Sequence, residues 1–298
     1  MTIRSATTRL RALLTTLAVL LVVDSTPASA LSLMDPFNLP TAMDGGTAKV
    51  GDGIPFADGQ RFKLDVYAPE ARGGGPAPVV FFIYGGGWNR GERGDYQFVG
   101  RALASRGFVT VIADYRHVPE VRYPEFLEDN ARALKWVEDN IAAFGGDPSR
   151  LFLAGHSAGA YNAVMLALDP SFMREYGVTL NIRGVAALSG PYDFYPFEYN
   201  EVREAFGQAP NPEGTQPINL VTADAPPMYL ATGTTDPIVR MQNTEHLAMR
   251  LYQSGVWVTA RYFEGFGHME PVIAMGAAWR WRLPVLDDMV AFFTQFGA

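Results

Sequence analysis

One pentapeptide of the sequence, GHSAG at residues 155–159, has the G-x-S-x-G pattern that places a reactive serine at a sharp turn between a strand and a helix. The flanking residues fit this pattern, because an apolar run at 151–154 precedes the turn and a helical stretch at 160–168 follows it. Glycines are expected at both flanks, since a side chain there would collide with neighbouring backbone. We therefore predict that Ser157 is a nucleophile presented above a sheet.

A serine hydroxyl is a weak nucleophile at neutral pH and requires a base, most often a histidine. The sequence contains four histidines: His117, His156, His246 and His268. The first precedes the serine, the second lies inside the pentapeptide and is turned away from the hydroxyl, and the third falls in an amphipathic helical stretch. His268 follows a predicted strand in the loop GFGH, in the chain order Ser, Asp, His. His268 is therefore the predicted base.

The base in turn requires a carboxylate that orients the imidazole and stabilises its charged form. Asp236 follows the predicted strand at 228–232, between the serine and the histidine in the chain. Asp193 also follows a strand, but we interpret it as a residue that caps a turn or anchors a cap. Asp169 and Asp224 lie at a helix end and in a Pro-rich loop, where capping and turns explain them. Asp236 is the predicted acid, with Asp193 as the alternative.

Acyl transfer also needs backbone N–H donors that face the developing oxyanion. The string YGGGW at 84–88 follows a buried strand, and its consecutive glycines allow close approach of a substrate to backbone amides. The helix that begins after the serine supplies one further amide. We predict that Ala158 and either Gly85 or Gly86 form the oxyanion hole.

Strands and helices alternate along the rest of the sequence. Apolar, β-branched and aromatic runs predict strands at 62–67, 78–84, 108–113, 151–154, 184–188, 228–232 and 256–263. Helical spacing of apolar residues predicts helices at 127–141, 160–168, 244–253 and 285–296. This alternation is typical of an α/β fold with a mainly parallel, twisted sheet flanked by helices on both faces.

The length and composition favour a single folded domain. The chain has 298 residues, of which 48% are hydrophobic, which is compatible with one large core. We place this domain at 60–298 and expect a loosely structured N-terminal arm, rich in Gly, Pro and Asp, at 31–59. The segment 192–224 is longer than a usual connection, and we interpret it as a possible cap insertion or a surface excursion.

The first thirty residues resemble a signal peptide. Three arginines precede an uncharged apolar run at 12–23, which is too short to span a bilayer as a helix, and Ala28-Ser29-Ala30 gives a small-residue cleavage pattern. We therefore expect an exported protein, periplasmic or secreted, that is cleaved near Ala30 and then has no stable membrane span.

Charge and the absence of cysteine exclude several classes of partner. Removing three of the 24 basic and one of the 31 acidic side chains with residues 1–30 leaves a net formal charge of −9, which disfavours nucleic acid. The chain has no cysteine, and its histidines do not cluster at ligand spacing, so we expect neither a metal nor an organic cofactor.

The set of motifs resembles the α/β-hydrolase carboxylesterases that carry an HGGG-type oxyanion loop, the broad group that includes hormone-sensitive-lipase-like and kynurenine-formamidase-like enzymes. The resemblance extends from about residue 62 to the C-terminus and rests on these strings: YGGGW, ADYR, FGGDPSRLFLAGHSAGA, TTDPIV and GFGH. One departure is Tyr84, because the oxyanion loop of the group usually begins with histidine. The string EGFGH is more similar to the kynurenine-formamidase and feruloyl-esterase side of the group.

The resemblance implies a serine esterase that acts through an acyl-enzyme on small or medium esters. The same triad could serve an amidase or formamidase, and the sequence does not separate these activities. A non-catalytic, hydrolase-like binding protein is a third interpretation, although such proteins usually lose a triad member or the glycine loop. Trp88, Tyr161 and Phe266 are candidates for a substrate pocket, with core packing as the alternative for each. The sequence leaves the oligomeric state open.

Overall fold

A single eight-stranded sheet forms the centre of the protein in the computed structural model, which describes residues 34–71 and 74–297. The strands, in chain order β1 to β8, are Thr47–Pro55, Lys63–Pro69, Ala77–Ile83, Val109–Ala113, Gly146–His156, Ile182–Leu188, Met228–Gly233 and Val258–Phe263. Their order in the sheet is β1-β2-β4-β3-β5-β6-β7-β8. Strands β3 to β8 are parallel, and β1 and β2 extend the sheet with antiparallel pairing at one edge.

The helices cover this sheet and connect its strands. Helices α1 to α9 are Asp35–Asn38, Gln97–Ala104, Glu125–Asn140, Ala158–Leu168, Ser171–Glu175, Asn200–Phe206, Gln242–Gln253, Glu270–Ile273 and Val285–Phe296. Four successive residues of β5, Leu151 to Ala154, are fully buried, and because neighbouring strand residues point to opposite faces, both faces of the sheet must be covered. The predicted α/β-hydrolase architecture is confirmed.

The seven predicted strands are all present, and their bounds differ from the predicted ones by at most two residues, apart from the start of β5. That strand begins at Gly146 because Gly146 and Asp147 pair with Ala77 and Pro78 of β3 before a register shift. The sequence suggested only the apolar part of β5, since its first residues are polar and partly exposed.

We predicted a loosely structured arm at 31–59, and this prediction is wrong for the described part of that range. Residues Thr47–Pro55 form edge strand β1, which pairs antiparallel with β2. The strand contains register shifts around Gly51, and its burial does not alternate, so the pattern that identifies a strand in a sequence is absent. The preceding segment is anchored too, because Asp44 pairs with Arg280 at 2.8 Å.

The segment between β6 and β7 contains α6 and two short 3-10 turns at Glu213–Thr215 and Pro217–Leu220. This is the range 192–224 in which we expected a cap. The predicted signal peptide at 1–30 lies outside the described residues. Within the described residues, we find no helix long and apolar enough to cross a membrane.

Candidate active site

Ser157 lies at the turn between β5 and α4, where its backbone adopts φ 55° and ψ −123°. A positive φ is unfavourable for a residue with a side chain, and holding it costs about 1–3 kcal/mol. The flanking glycines make the turn possible: a Cβ on Gly159 would lie 2.0 Å from the Ile83 carbonyl oxygen, and one on Gly155 would lie 2.4 Å from the Gly159 carbonyl oxygen. The collision inferred from the sequence therefore involves the neighbouring strand β3 and the turn itself.

The structure brings Ser157, His268 and Asp236 together, although they lie on three different connections. The Ser157 hydroxyl oxygen is 2.8 Å from Nε2 of His268, and Nδ1 of His268 is 2.7 Å from Oδ2 of Asp236. All three residues are buried, with 9%, 7% and 7% exposure respectively, so water screens these contacts weakly. The arrangement allows His268 to take a proton from Ser157 while Asp236 stabilises the imidazolium.

Asp236 is held in a fixed orientation. Its second carboxylate oxygen, Oδ1, accepts hydrogen bonds from the backbone amides of Ile238 at 2.8 Å and Val239 at 2.9 Å. Oδ2 is therefore directed at His268, and the carboxylate needs no rotation to bind the imidazole. Fixed dipoles of this kind reduce the reorganisation that a reaction requires.

The loop with the histidine packs directly on the end of β7, and Gly233 permits this approach. A Cβ at Gly233 would lie 2.2 Å from the Phe266 carbonyl oxygen and 2.5 Å from that of Gly267. Thr235 reinforces the contact, since its amide and hydroxyl both donate to the Phe266 carbonyl, at 3.0 and 2.9 Å. Asp236 and His268 therefore lie on loops that are hydrogen-bonded to each other.

The glycine loop lies beside Ser157. A Cβ on Gly85 would lie 3.0 Å from the Ser157 Cβ, and Gly86 has φ +141°, a conformation open mainly to glycine. Burial raises the pKa of the Tyr96 hydroxyl, and a hydrogen bond from the Gly85 amide acts against that rise. Gly85 and Gly86 both lie on this loop, so either amide stays a predicted partner of Ala158.

Tyr84, which stands where the usual motif has histidine, supports the glycine loop through its buried ring. Its ring is fully buried and stacks on Tyr115 at 4.6 Å between centroids. The Tyr115 hydroxyl donates to the Tyr84 carbonyl at 3.1 Å, and the Tyr84 hydroxyl lies 3.3 Å from Nε2 of His117. Burial lowers the pKa of His117 to about 3, so this histidine stays neutral and belongs to the support of the loop.

The alternative acid, Asp193, has a different partner. Its Oδ2 is 2.7 Å from Nδ1 of His246, and both side chains are substantially exposed. The Tyr192 and Asp193 amides donate to Oδ1 of Asn243 at 2.8 and 2.9 Å, which ties the start of the segment 192–224 to α7. Asp193 and His246 therefore form a separate pair outside the Ser157 site.

Two of the three candidate pocket residues are packed against segment 192–224. Trp88 and Tyr161 expose 3% and 0% of their surface, and both rings contact Phe194 and Phe206. Trp88 also donates from Nε1 to Oδ1 of Asn162 at 3.1 Å, and the Tyr161 hydroxyl donates to the Thr215 carbonyl at 2.8 Å. These contacts favour the packing alternative for both residues.

Phe266, the third candidate, is only partly buried. The Arg282 guanidinium lies over its ring at 5.3 Å from the centroid, and the Phe266 carbonyl binds Thr235. The Phe266 backbone therefore has a structural role, and the residue as a whole keeps some exposed surface in the histidine loop.

Sequence reasoning missed the contacts beneath the triad. Nε2 of His156 lies 3.1 Å from the His268 carbonyl oxygen, and Nδ1 of His156 lies 3.0 Å from the Tyr96 hydroxyl. Nothing in the spacing of Tyr96 singles it out, and His156 was considered only as a rival base. The one available signal was the choice of histidine at the second position of GHSAG.

Three features define an α/β hydrolase: the sheet order, the strand-to-helix turn at the serine, and the hydrogen-bonded set of Ser157, His268 and Asp236. A model of the family described as BD-FAE matches residues 64–251, which is more than half of the chain. The chain belongs to this family.

Similar proteins support the fold. Esterase B from Lactobacillus rhamnosis superposes with a TM-score of 0.75 over 88% of this chain and 93% of that one, at 19% identity, which shows a shared fold. LipM of Mycobacterium tuberculosis, a probable carboxylic ester hydrolase, is 30% identical over 214 residues, covering 65% of this chain and 50% of LipM.

A plant relative covers a shorter region. The isoprenylcysteine alpha-carbonyl methylesterase of Arabidopsis thaliana is 34% identical over 147 residues, which is 48% of this chain and 34% of that protein. The chain thus spans half the length of LipM and a third of the methylesterase.

Proposed function

We propose that the protein is a serine esterase that hydrolyses small or medium carboxylic esters through an acyl-enzyme. The observation that carries the proposal is the position of His268, within hydrogen-bond distance of both the Ser157 hydroxyl and the Asp236 carboxylate. The names of the similar proteins agree with this activity, since LipM is named a probable carboxylic ester hydrolase and the plant relative a methylesterase.

In the acylation half-reaction, the Ser157 oxygen attacks the ester carbonyl carbon while Nε2 of His268 takes the hydroxyl proton. The carbonyl oxygen becomes an oxyanion, and we assign the Ala158 amide and that of Gly85 or Gly86 as its donors. Each such donor lowers the barrier by roughly 3 kcal/mol. When the tetrahedral intermediate collapses, His268 gives the proton to the leaving alcohol, and the acyl group remains on Ser157.

Water reverses these roles in deacylation. His268 takes a proton from the water molecule, which attacks the acyl carbon, and the same donors hold the second oxyanion. The proton then returns to the Ser157 oxygen as the carboxylic acid leaves. Asp236 keeps its charge throughout, because its task is to stabilise the imidazolium.

The packing next to Ser157 favours short acyl groups. Tyr161 lies one helical turn after the serine, and its amide donates to the Ser157 carbonyl at 3.1 Å. Tyr161 and Trp88 both pack against Phe194 and Phe206, so aromatic side chains fill the space beside the first turn of α4. A long acyl chain directed there would have to displace them.

We further propose that the chain is exported and that residues 1–30 act as the signal. The support is the pattern of three arginines, an apolar run and Ala28-Ser29-Ala30. Expression of the full chain in a bacterial host should yield protein outside the cytoplasm. Its intact mass should correspond to a chain that begins near Leu31. A full-length mass retained in the cytoplasm would contradict export.

A substrate panel tests the activity. p-Nitrophenyl acetate, butyrate and octanoate, a feruloyl ester and an N-formyl amide should be compared by kcat/KM, with Ser157→Ala as the control. We expect acetate and butyrate to exceed octanoate and the formyl amide, and the variant to lose activity on every substrate. A preference for the formyl amide over all esters would replace the esterase proposal with a formamidase.

A further inference from the structure

We propose that His156 is a positioning residue that, together with Tyr96, joins the glycine loop to the loop carrying the catalytic histidine. The inference rests on the proposed esterase function and concerns how that site is held together. Its basis is a continuous set of contacts beneath the triad, from the Gly85 backbone to the His268 carbonyl.

The contacts with His156 fix the direction of the hydrogen bonds. A carbonyl oxygen only accepts, so the 3.1 Å contact with the His268 carbonyl requires a proton on Nε2 of His156. Burial, and secondarily the charge of His268, lower the pKa of His156 to about 3, so the ring is neutral and its Nδ1 carries no proton. The Tyr96 hydroxyl therefore donates to Nδ1 across 3.0 Å.

Gly85 completes the connection on the other side. A Cβ at Gly85 would lie 2.9 Å from Nδ1 of His156 and 2.8 Å from the His156 carbonyl oxygen. The glycine loop therefore packs directly against His156. The Tyr96 hydroxyl holds the same ring through its hydrogen bond to Nδ1. The glycine loop and the histidine loop, which must keep a fixed relative position for acyl transfer, are thus connected through the His156 ring, and Tyr96 holds that ring in place.

Both side chains are well placed to keep this geometry. Tyr96 is 4% and His156 1% exposed, and the Tyr96 ring packs at 5.6 Å from Phe82 and 6.2 Å from Tyr84. The His156 ring centroid is 5.0 Å from that of His268. Because His156 is neutral, it positions His268 without repelling the imidazolium that forms during the reaction.

Two substitutions at His156 separate the two hydrogen bonds. In His156→Gln the side-chain amide nitrogen reaches the position of Nε2, so the bond to the His268 carbonyl is kept. In His156→Asn the amide oxygen occupies the position of Nδ1, so the Tyr96 contact is kept and the His268 contact is lost. Tyr96→Phe removes only the hydroxyl, and His246→Asn is a matched control on an exposed histidine.

The kinetic constants for p-nitrophenyl acetate should distinguish these variants. We expect His156→Asn to lower kcat by about 10- to 100-fold with little change in KM, since small displacements of a catalytic group have effects of that size. His156→Gln should recover most of that loss, Tyr96→Phe should lower kcat by about three- to tenfold, and the control should match the parent enzyme.

Melting temperatures measured on the same samples identify any unfolded variant, and Tyr96→Phe decides the question if His156→Asn does not fold. Unchanged kcat in folded His156→Asn or in Tyr96→Phe would overturn the inference, as would an equal loss in His156→Asn and His156→Gln. These outcomes leave the esterase proposal intact, whereas a parent enzyme without Ser157-dependent hydrolysis would overturn that proposal first.

Discussion

Replacing Asp236 with asparagine should remove the base function of His268 while leaving the fold unchanged. Oδ1 of the carboxylate accepts two backbone amides at 2.8 and 2.9 Å, and an asparagine oxygen can keep both bonds. The amide nitrogen then occupies the place of Oδ2, 2.7 Å from Nδ1 of His268, where it donates and requires Nδ1 to accept. The imidazole proton consequently moves to Nε2, which faces the Ser157 hydroxyl at 2.8 Å.

In that tautomer His268 cannot take the serine proton. The comparable change in a Ser-His-Asp triad lowers kcat by about 10⁴-fold, which corresponds to about 5 kcal/mol of barrier. We expect Asp236→Asn to lose kcat by about this factor on p-nitrophenyl acetate, with a melting temperature within a few degrees of the parent. Asp193→Asn is the matched control, because Asp193 binds His246 outside the site.

The comparison between the two aspartates could contradict this reasoning in two ways. A decrease of less than tenfold in Asp236→Asn would show that the carboxylate does not set the tautomer of His268. An equal loss in Asp193→Asn would show that the acid was assigned to the wrong loop. The same assay with both purified variants covers both outcomes.

Three further predictions concern stability. Gly159→Ala should lower the free energy of unfolding by about 3 kcal/mol or more, because the new Cβ would lie 2.0 Å from the Ile83 carbonyl oxygen; an unchanged urea midpoint would contradict this. Phe206→Ala should cost about 3–5 kcal/mol, since the ring is fully buried among the aromatic side chains beside α4, and thermal unfolding measures the loss. Burial lowers the pKa of His117 and His156 from 6.5 to about 3. Between these pH values the unfolded chain binds protons on both histidines and the folded protein does not, so the free energy of unfolding should fall as the pH drops from 6.5 towards 3. The free energy of unfolding should change by at most about 1.4 kcal/mol per pH unit for each histidine. Free energies of unfolding from urea titrations that stay constant between pH 6.5 and 3 would refute this prediction.

The sequence predicted the parallel part of the sheet well because strands buried on both faces appear as continuous apolar runs. Strand β3, Ala77–Ile83, and strand β7, Met228–Gly233, are of this kind. Strand β1 was missed for the converse reason: it lies at an edge, contains Gly51 at an irregular pairing and has no alternating burial. Local pattern cannot show that such a segment finds a partner in β2.

The predicted site residues came from the serine turn and from chain order, and the structure places them within hydrogen-bond distance of one another. What the sequence could not show is contact between residues distant in the chain, such as His156 with the His268 carbonyl or Gly233 with the histidine loop. The pocket role considered for Trp88 and Tyr161 depended on the position of segment 192–224, whose aromatic side chains cover both rings. A tertiary contact of this type leaves no local pattern.

The account depends most directly on Ser157 acting as an activated nucleophile. Intact-mass measurement after treatment with a fluorophosphonate should show a single adduct on the parent protein, located at Ser157 by peptide sequencing. Ser157→Ala should show no adduct under the same conditions, and Asp236→Asn should be labelled far more slowly. Absence of labelling on the folded parent protein, or equal labelling of Ser157→Ala, would contradict the account.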